Sequence, residues 1–149
     1  MEMKKTKIYV DADACPVVKE ILSVSKKHGF NLCFIHSYNH IRREPFPDTI
    51  ETVIVDADKE ASDLAIANRV QASDLVVTDD YGLATMVIGK KAKVLTSRGV
   101  FLTNDTIDFH LERRHESAKE RRAGRYTKGP KKLTDEQKDF FASQLSQFE

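Results

Sequence analysis

Three apolar runs in this chain end in carboxylates. "KIYVDADACP" (7–16) leads into Asp11 and Asp13, "TVIVDADKEA" (52–61) into Asp56 and Asp58, and "DLVVTDDYGL" (74–83) into Asp79 and Asp80. A further acid, Asp63, precedes Ile66, Ala67 and Val70 at spacings of three, four and seven, which puts it on the apolar stripe of a helix. A charge in such a place is costly unless it is paired or holds a metal. Carboxylates brought together repel one another without a cation, and a hard, all-oxygen set suits Mg²⁺ or Mn²⁺. The chemistry natural to such ions is phosphodiester hydrolysis, with water as nucleophile and charge on phosphorus stabilised. Asp is also a common cap and turn residue, the reading given to Asp74 and Asp135.

The flanking patterns predict the elements that would carry these acids. Residues 5–11 read as a strand; Pro16 fits the first helical position, and "VVKEILSVSKKHG" runs on as a helix stopped by Gly29. "FNLCFIHS" (30–37) is a second strand, followed by a polar loop, "YNHIRREPFPDTI" (38–50). "TVIVD" is the third strand, with a helix over 59–71, then "LVVTD", the short helix "YGLATMVIG" and the strand "KAKVLT". Beyond Gly99 the pattern becomes helical, over 104–122 and 134–147, with Thr134 and Gln137 spaced as a capping box. The alternation predicts an α/β domain with a mainly parallel sheet flanked by helices, spanning 1–149 as a core (1–100) and a helical C-terminal extension (101–149). In such a sheet the carboxyl ends of the strands share one edge, where ligands bind. The three acidic strand ends are therefore expected on the same edge.

Two resemblances rest on these residues. "D…LAIANRVQASDLVVTDD", a helix acid followed by a strand ending Thr-x-Asp, resembles the PIN-like nuclease domains, which have a three-layer, Rossmann-like fold. "IYVDADACPVVKEIL", "ASD", "DLVVTDDYGLA" and "SRG" resemble the bacterial YaiI/YqxD family of uncharacterised proteins across essentially the whole chain. Carried over by position, the PIN resemblance implies metal-ligand roles for Asp11, Asp63 and Asp80, and an orienting hydroxyl role for Thr78. Asp13 belongs to the second family's own motif. Asp56, Glu60 and Asp79 are secondary candidates, and Glu20 is the nearest match to a further acid that PIN nucleases carry on an earlier helix. The activity implied is a Mg²⁺- or Mn²⁺-dependent nuclease acting on RNA or single-stranded nucleic acid.

Charge distribution points the same way. The chain has 149 residues and a net charge of +1, yet residues 113–132 carry nine Lys/Arg against two acids, a local +7. Arg113, Arg114, Arg121, Arg122, Arg125, Lys128, Lys131 and Lys132 are thus candidates for contact with a phosphate backbone, with Arg42 and Arg43 as helpers. No apolar run reaches membrane-spanning length and "MEMKKTK" has no signal-peptide core, so a cytoplasmic protein without membrane attachment is expected, its two cysteines free thiols.

Two other function classes use the same residues. "IYVDADAC" also resembles the first motif of haloacid-dehalogenase-like phosphatases, in which Asp11 would be the nucleophile and Asp13 the general acid–base, with Ser37, Lys59 and the Asp79–Asp80 pair as remaining motifs. Pro16 argues against it, leaving no room for the excursion such enzymes place after the first strand. A non-catalytic nucleic-acid binder would use the basic segment with Tyr126 stacking on a base. Cys15, just before a helix, could be a reactive thiolate, but nearby Asp11 and Asp13 favour a packed thiol. His36, His40, His110 and His115 show no metal-ligand spacing and read as surface or loop residues.

Overall fold

The computed structural model describes residues 7–13, 15–37, 50–56, 59–107 and 132–148. Along the chain run β1 (Lys7–Asp11), α1 (Val18–His28), β2 (Asn31–Ser37), β3 (Glu51–Val55), α2 (Lys59–Arg69), β4 (Leu75–Val77), α3 (Tyr81–Ile88), β5 (Lys93–Leu95) and β6 (Phe101–Leu102). Residues 104–107 are helical, and the helix here called α4 spans Asp135–Ser146. The expected loop over 38–50 (all but Ile50), the expected helix beyond 107, and the basic segment apart from Lys132 lie outside the described residues.

The six strands form one sheet in the order β3-β2-β1-β4-β5-β6. Neighbours from β3 to β5 are parallel, and β6 returns antiparallel to β5. Strand alternation sends Ile8 and Val10 to one face and Tyr9 to the other, and both faces are covered. On one side Ile8, Val10, Phe34, Val77 and Leu95 pack with Ile21 of α1 and with Phe141 and Leu145 of α4. On the other, Tyr9, Cys33, Ile35, Val76 and Val94 pack with Ile66 of α2 and with Leu83 and Val87 of α3. The result is a three-layer α/β sandwich in which burial on both faces explains the near-continuous apolar strands.

Several local expectations are met. α1 ends at Gly29 in the left-handed region (φ 71), where its N–H and that of Phe30 bond to the Ser25 carbonyl. Thr134 and Gln137 form the expected capping box of α4. Others need correction. Pro16 lies in a turn and α1 begins at Val18, because the chain first bends away from β1, with the Cys15 N–H bonded to the Ala12 carbonyl. The expected helix does begin at 104, but a short strand that the pattern did not announce, β6, precedes it. β6 exists because Gly99 (φ +84) closes a tight turn back onto β5, and a Cβ there would stand 2.6 Å from the Phe140 ring. His36 is buried within β2, not at the surface, its ring Nδ1 3.1 Å from the Ser37 carbonyl.

Candidate functional site

Strand order reverses its direction of growth between β1 and β4, and the carboxyl ends of these two central strands open the crevice in which ligands bind in sheets of this kind. Asp11 is the last residue of β1, and Thr78 directly follows β4. The Thr78 hydroxyl donates to Asp11 Oδ2 at 3.1 Å and accepts from the Asp80 N–H at 3.0 Å, tying the two strand ends together. A recess of about 230 Å³ lies over them, lined by Asp11, Asp13, Cys15, Thr78, Asp79 and Asp80, with Val77 and Ser97.

The acids in this recess differ in what already holds them. Asp13 accepts from the Ser37 N–H with both oxygens, at 3.1 and 3.2 Å, bridging the end of β2. Asp79 accepts from the Ser97 N–H (2.8 Å) and hydroxyl (2.6 Å), pinning the chain after β5 to the chain after β4. Asp80 is the N-cap of α3, its Oδ1 receiving the Gly82 and Leu83 N–H groups at 2.8 and 3.2 Å. Asp11 is the exception. Burial, above all, pushes its carboxyl up to about 6; the Thr78 hydrogen bond opposes this, and the charges of Asp63, Asp13 and Asp80 add to it.

The charge of Asp63 is thus felt at Asp11 from α2, although its side chain is only half-buried. Ser62, Ala65 and Ile66 take the centre of the inward stripe and Asp63 its margin. Asp56, after edge strand β3, is exposed and two strands from β1, about 10 Å across the sheet. Glu60 is exposed in the first turn of α2, and neither joins the recess. Asp58 lies outside the described residues, as do Arg113, Arg114, Arg121, Arg122, Arg125, Lys128 and Lys131; Lys132 is exposed ahead of α4. Cys15 carries a protonated thiol, pushed up to about 12 by burial and by the charges of Asp79, Asp11 and Glu20. Asp74 is a turn residue at the opposite end of the sheet, accepting from the Lys7 and Gln71 N–H groups. Ser97 is the contributor that reading for acids misses. It follows the apolar run "KVLT" at the same sheet edge, so the rule that located the carboxylates could have located it too.

Whether a hard divalent cation suits these residues can be judged from their chemistry. Among the described residues no three His, Cys, Asp or Glu side chains stand as a ready-made ligand set for one ion. The donors nonetheless fit such an ion. Asp11 is repelled by three carboxylates, and Glu20 on α1 has a buried Oε2 that finds no hydrogen-bond partner among the described residues. The charge of Glu20 reaches Cys15, which lines the recess. The set is open, with donors from several elements, and not a closed cage.

An open, doubly wound α/β sheet with acids gathered at its topological switch point is the class that fold and site define. The chain belongs to the family described as "Uncharacterized BCR, YaiI/YqxD family", which matches residues 9–148. It is 54% identical over 140 residues to a UPF0178 protein of Bacillus pumilus, covering 93% of this chain and 82% of the relative. A UPF0178 protein of Bacillus velezensis is 45% identical over 144 residues (97% and 84%), and one of Oceanobacillus iheyensis 40% over 142 residues (95% and 97%). No solved structure gives a significant match. No helix among the described residues is long and apolar enough to cross a membrane.

Proposed function

We propose that this protein is a Mg²⁺- or Mn²⁺-dependent nuclease that hydrolyses phosphodiester bonds of RNA or single-stranded nucleic acid at the Asp11 recess. The reading rests on one observation above others: the half-buried carboxylate at the switch point, Asp11, feels the charges of Asp63, Asp13 and Asp80. Such a cluster is unfavourable in itself and becomes favourable when a divalent cation is held among its oxygens. Asp11, Asp63 and Asp80 would hold the ion, with Asp13 beside them. When bound, the ion supplies Lewis-acid stabilisation of charge developing on the phosphoryl group and activation of water.

The chain's own groups do the remaining work. Thr78 fixes the orientation of Asp11 through its hydroxyl, and the same oxygen receives the Asp80 N–H, so the two principal carboxylates are set relative to one another. Asp79 holds the Ser97 turn against the recess and so shapes its wall. The basic residues between Arg113 and Lys132 would draw in the polyanion. Only residues 12–17 separate β1 from α1, and Asp13 is engaged with the Ser37 N–H, so the dehalogenase-like phosphatase reading gains no support.

The test is cleavage of a panel of short fluorescent RNAs and single-stranded DNAs with and without Mg²⁺ or Mn²⁺. Cleavage should require the ion and be abolished in Asp11→Asn. No cleavage across the panel, together with no Mn²⁺ binding by calorimetry, would overturn the proposal. Nucleic-acid binding that is indifferent to the ion and unchanged in an Asp11→Asn, Asp80→Asn protein would favour a non-catalytic binder.

A further inference from the structure

The recess contains acids and hydroxyls, and none of its lining side chains is basic. A phosphate group approaching it therefore needs a positive partner from the rim. The turn between β5 and β6 offers one. Ser97 lines the recess, and Arg98 follows it directly, its Cα about 3.8 Å further on. Arg98 is exposed, and its guanidinium has no ion pair or hydrogen bond among the described residues.

The turn that presents it is held from every side. The Thr96 N–H bonds to the Val100 carbonyl and the Gly99 N–H to the Thr96 carbonyl, each at 2.9 Å. The Val100 N–H bonds to Thr96 Oγ1 at 3.2 Å, and Asp79 takes both the N–H and the hydroxyl of Ser97. From α4, the Gln144 amide donates to the Gly99 carbonyl at 3.2 Å, while the Phe140 ring closes over Gly99. Thr96, Ser97 and Gly99 are buried, and Arg98 is the long side chain the turn leaves in solvent. A hydrogen-bonded turn that carries an exposed arginine next in sequence to the recess-lining Ser97 is suited to anion contact, since the guanidinium has the fork geometry that suits phosphate oxygens.

We infer that Arg98 is the residue that contacts the substrate's phosphate backbone at the rim of the recess, and so positions a nucleic-acid strand over Asp11. The inference rests on the proposed nucleic-acid substrate. It predicts a contact made equally to every nucleotide, since phosphate contacts fix register without reading sequence. Asp79 would act through this contact as a positioning residue, by fixing the turn that carries Arg98.

The full chain, as wild type, Arg98→Ala and Arg98→Lys, should be titrated with a short fluorescent single-stranded RNA in Ca²⁺ across a range of salt, and assayed for cleavage in Mn²⁺. Arg98→Ala should weaken binding by about tenfold and reduce the slope of log affinity against log salt by about one unit. Arg98→Lys should restore the slope but only part of the affinity. Cleavage should show the loss in KM more than in kcat. Unchanged affinity and slope in Arg98→Ala, with unchanged thermal stability, would overturn the inference while leaving the nuclease reading intact. If wild type binds but does not cleave, the nuclease reading falls and the salt slope still decides the role of Arg98. Absence of any RNA binding by wild type overturns both.

Discussion

Asp11 and Asp74 lie at opposite ends of the same pair of central strands, and they are held in opposite ways. Asp74, just before β4, is buried at 5% exposure and accepts from two backbone amides, Lys7 N–H at 3.2 Å and Gln71 N–H at 2.9 Å. Its carboxylate closes the amino end of the sheet and leaves two donors satisfied. Asp11, at the carboxyl end of β1, accepts from one neutral hydroxyl, that of Thr78, and faces the charges of Asp63, Asp13 and Asp80. Two aspartates a strand's length apart thus divide between stabilising the fold and straining it. A carboxylate kept where the fold gains little from it is evidence of a purpose other than folding.

The largest stability effect should come from the amino end. Asp74→Ala leaves the Lys7 and Gln71 N–H groups without their acceptors, at about 4 kcal/mol for the two together. Urea denaturation should show this as a fall in midpoint. A change below about 1 kcal/mol would break the comparison, because Asp74 would then be no more important to the fold than an exposed turn residue.

Asp11→Asn should act in the opposite direction. The folded chain raises the Asp11 carboxyl from its ordinary 3.8 to about 6, so it holds that proton more tightly than the unfolded chain. The cost of the carboxylate is therefore absent below pH about 4, grows between about 4 and 6, and is complete above 6. At about 1.36 kcal/mol per pH unit, the full cost is about 3 kcal/mol. Asn at position 11 should make the protein more stable than wild type at pH 8 by up to this amount, and equal to it near pH 4. Loss of stability at pH 8 would sink the idea that the fold bears a cost at Asp11.

Thr78→Val tests the hydroxyl on which that balance depends. Removing it takes from Asp11 the hydrogen bond that favours its carboxylate and takes from the half-buried Asp80 N–H its Thr78 acceptor, at about 2 kcal/mol. The fall should still begin near pH 4, where the unfolded carboxyl titrates, but the pH at which it is complete should move upward, since the Thr78 bond lowers the folded Asp11 value. A downward movement would show that Thr78 does not stabilise the carboxylate.

Much of this arrangement was legible because its causes are local or periodic. Parallel strands buried on both faces read as continuous apolar runs, and the residue after each run marks the shared edge, which located Asp11, Thr78 and Asp80 together. Gly29 and the Thr134–Gln137 box follow from rules of adjacent residues. What escaped depends on distant partners. β6 is two residues long and exists by pairing with β5 while Gly99 packs beneath Phe140. His36 is buried because it shares with Phe34 the face of β2 that the helical layer covers, which its own neighbours do not announce. Nor did spacing reveal that Asp13, Asp79 and Asp80 each hold a neighbouring segment by hydrogen bonds, so that the acids share structural and candidate chemical roles.

The smallest expected effect separates those two roles at Asp80. Its Oδ1 caps α3 through the Gly82 and Leu83 N–H groups, and its charge raises the Asp11 carboxyl. Asn caps a helix as well as Asp does, so Asp80→Asn should keep the cap and remove the charge. Stability at pH 8 should change by no more than about 0.5 kcal/mol, the lost attraction between the carboxylate and the helix dipole being offset by relief of repulsion at Asp11. Asp80→Ala removes the cap as well and should cost about 1 kcal/mol. If both variants lose the same stability, the charge and not the hydrogen bonds supports α3, and Asp80 belongs with Asp74 as an acid that serves the fold. If Asp80→Asn is neutral in stability yet loses Mn²⁺ binding, its charge serves the recess, and the fold needs only an oxygen at that position.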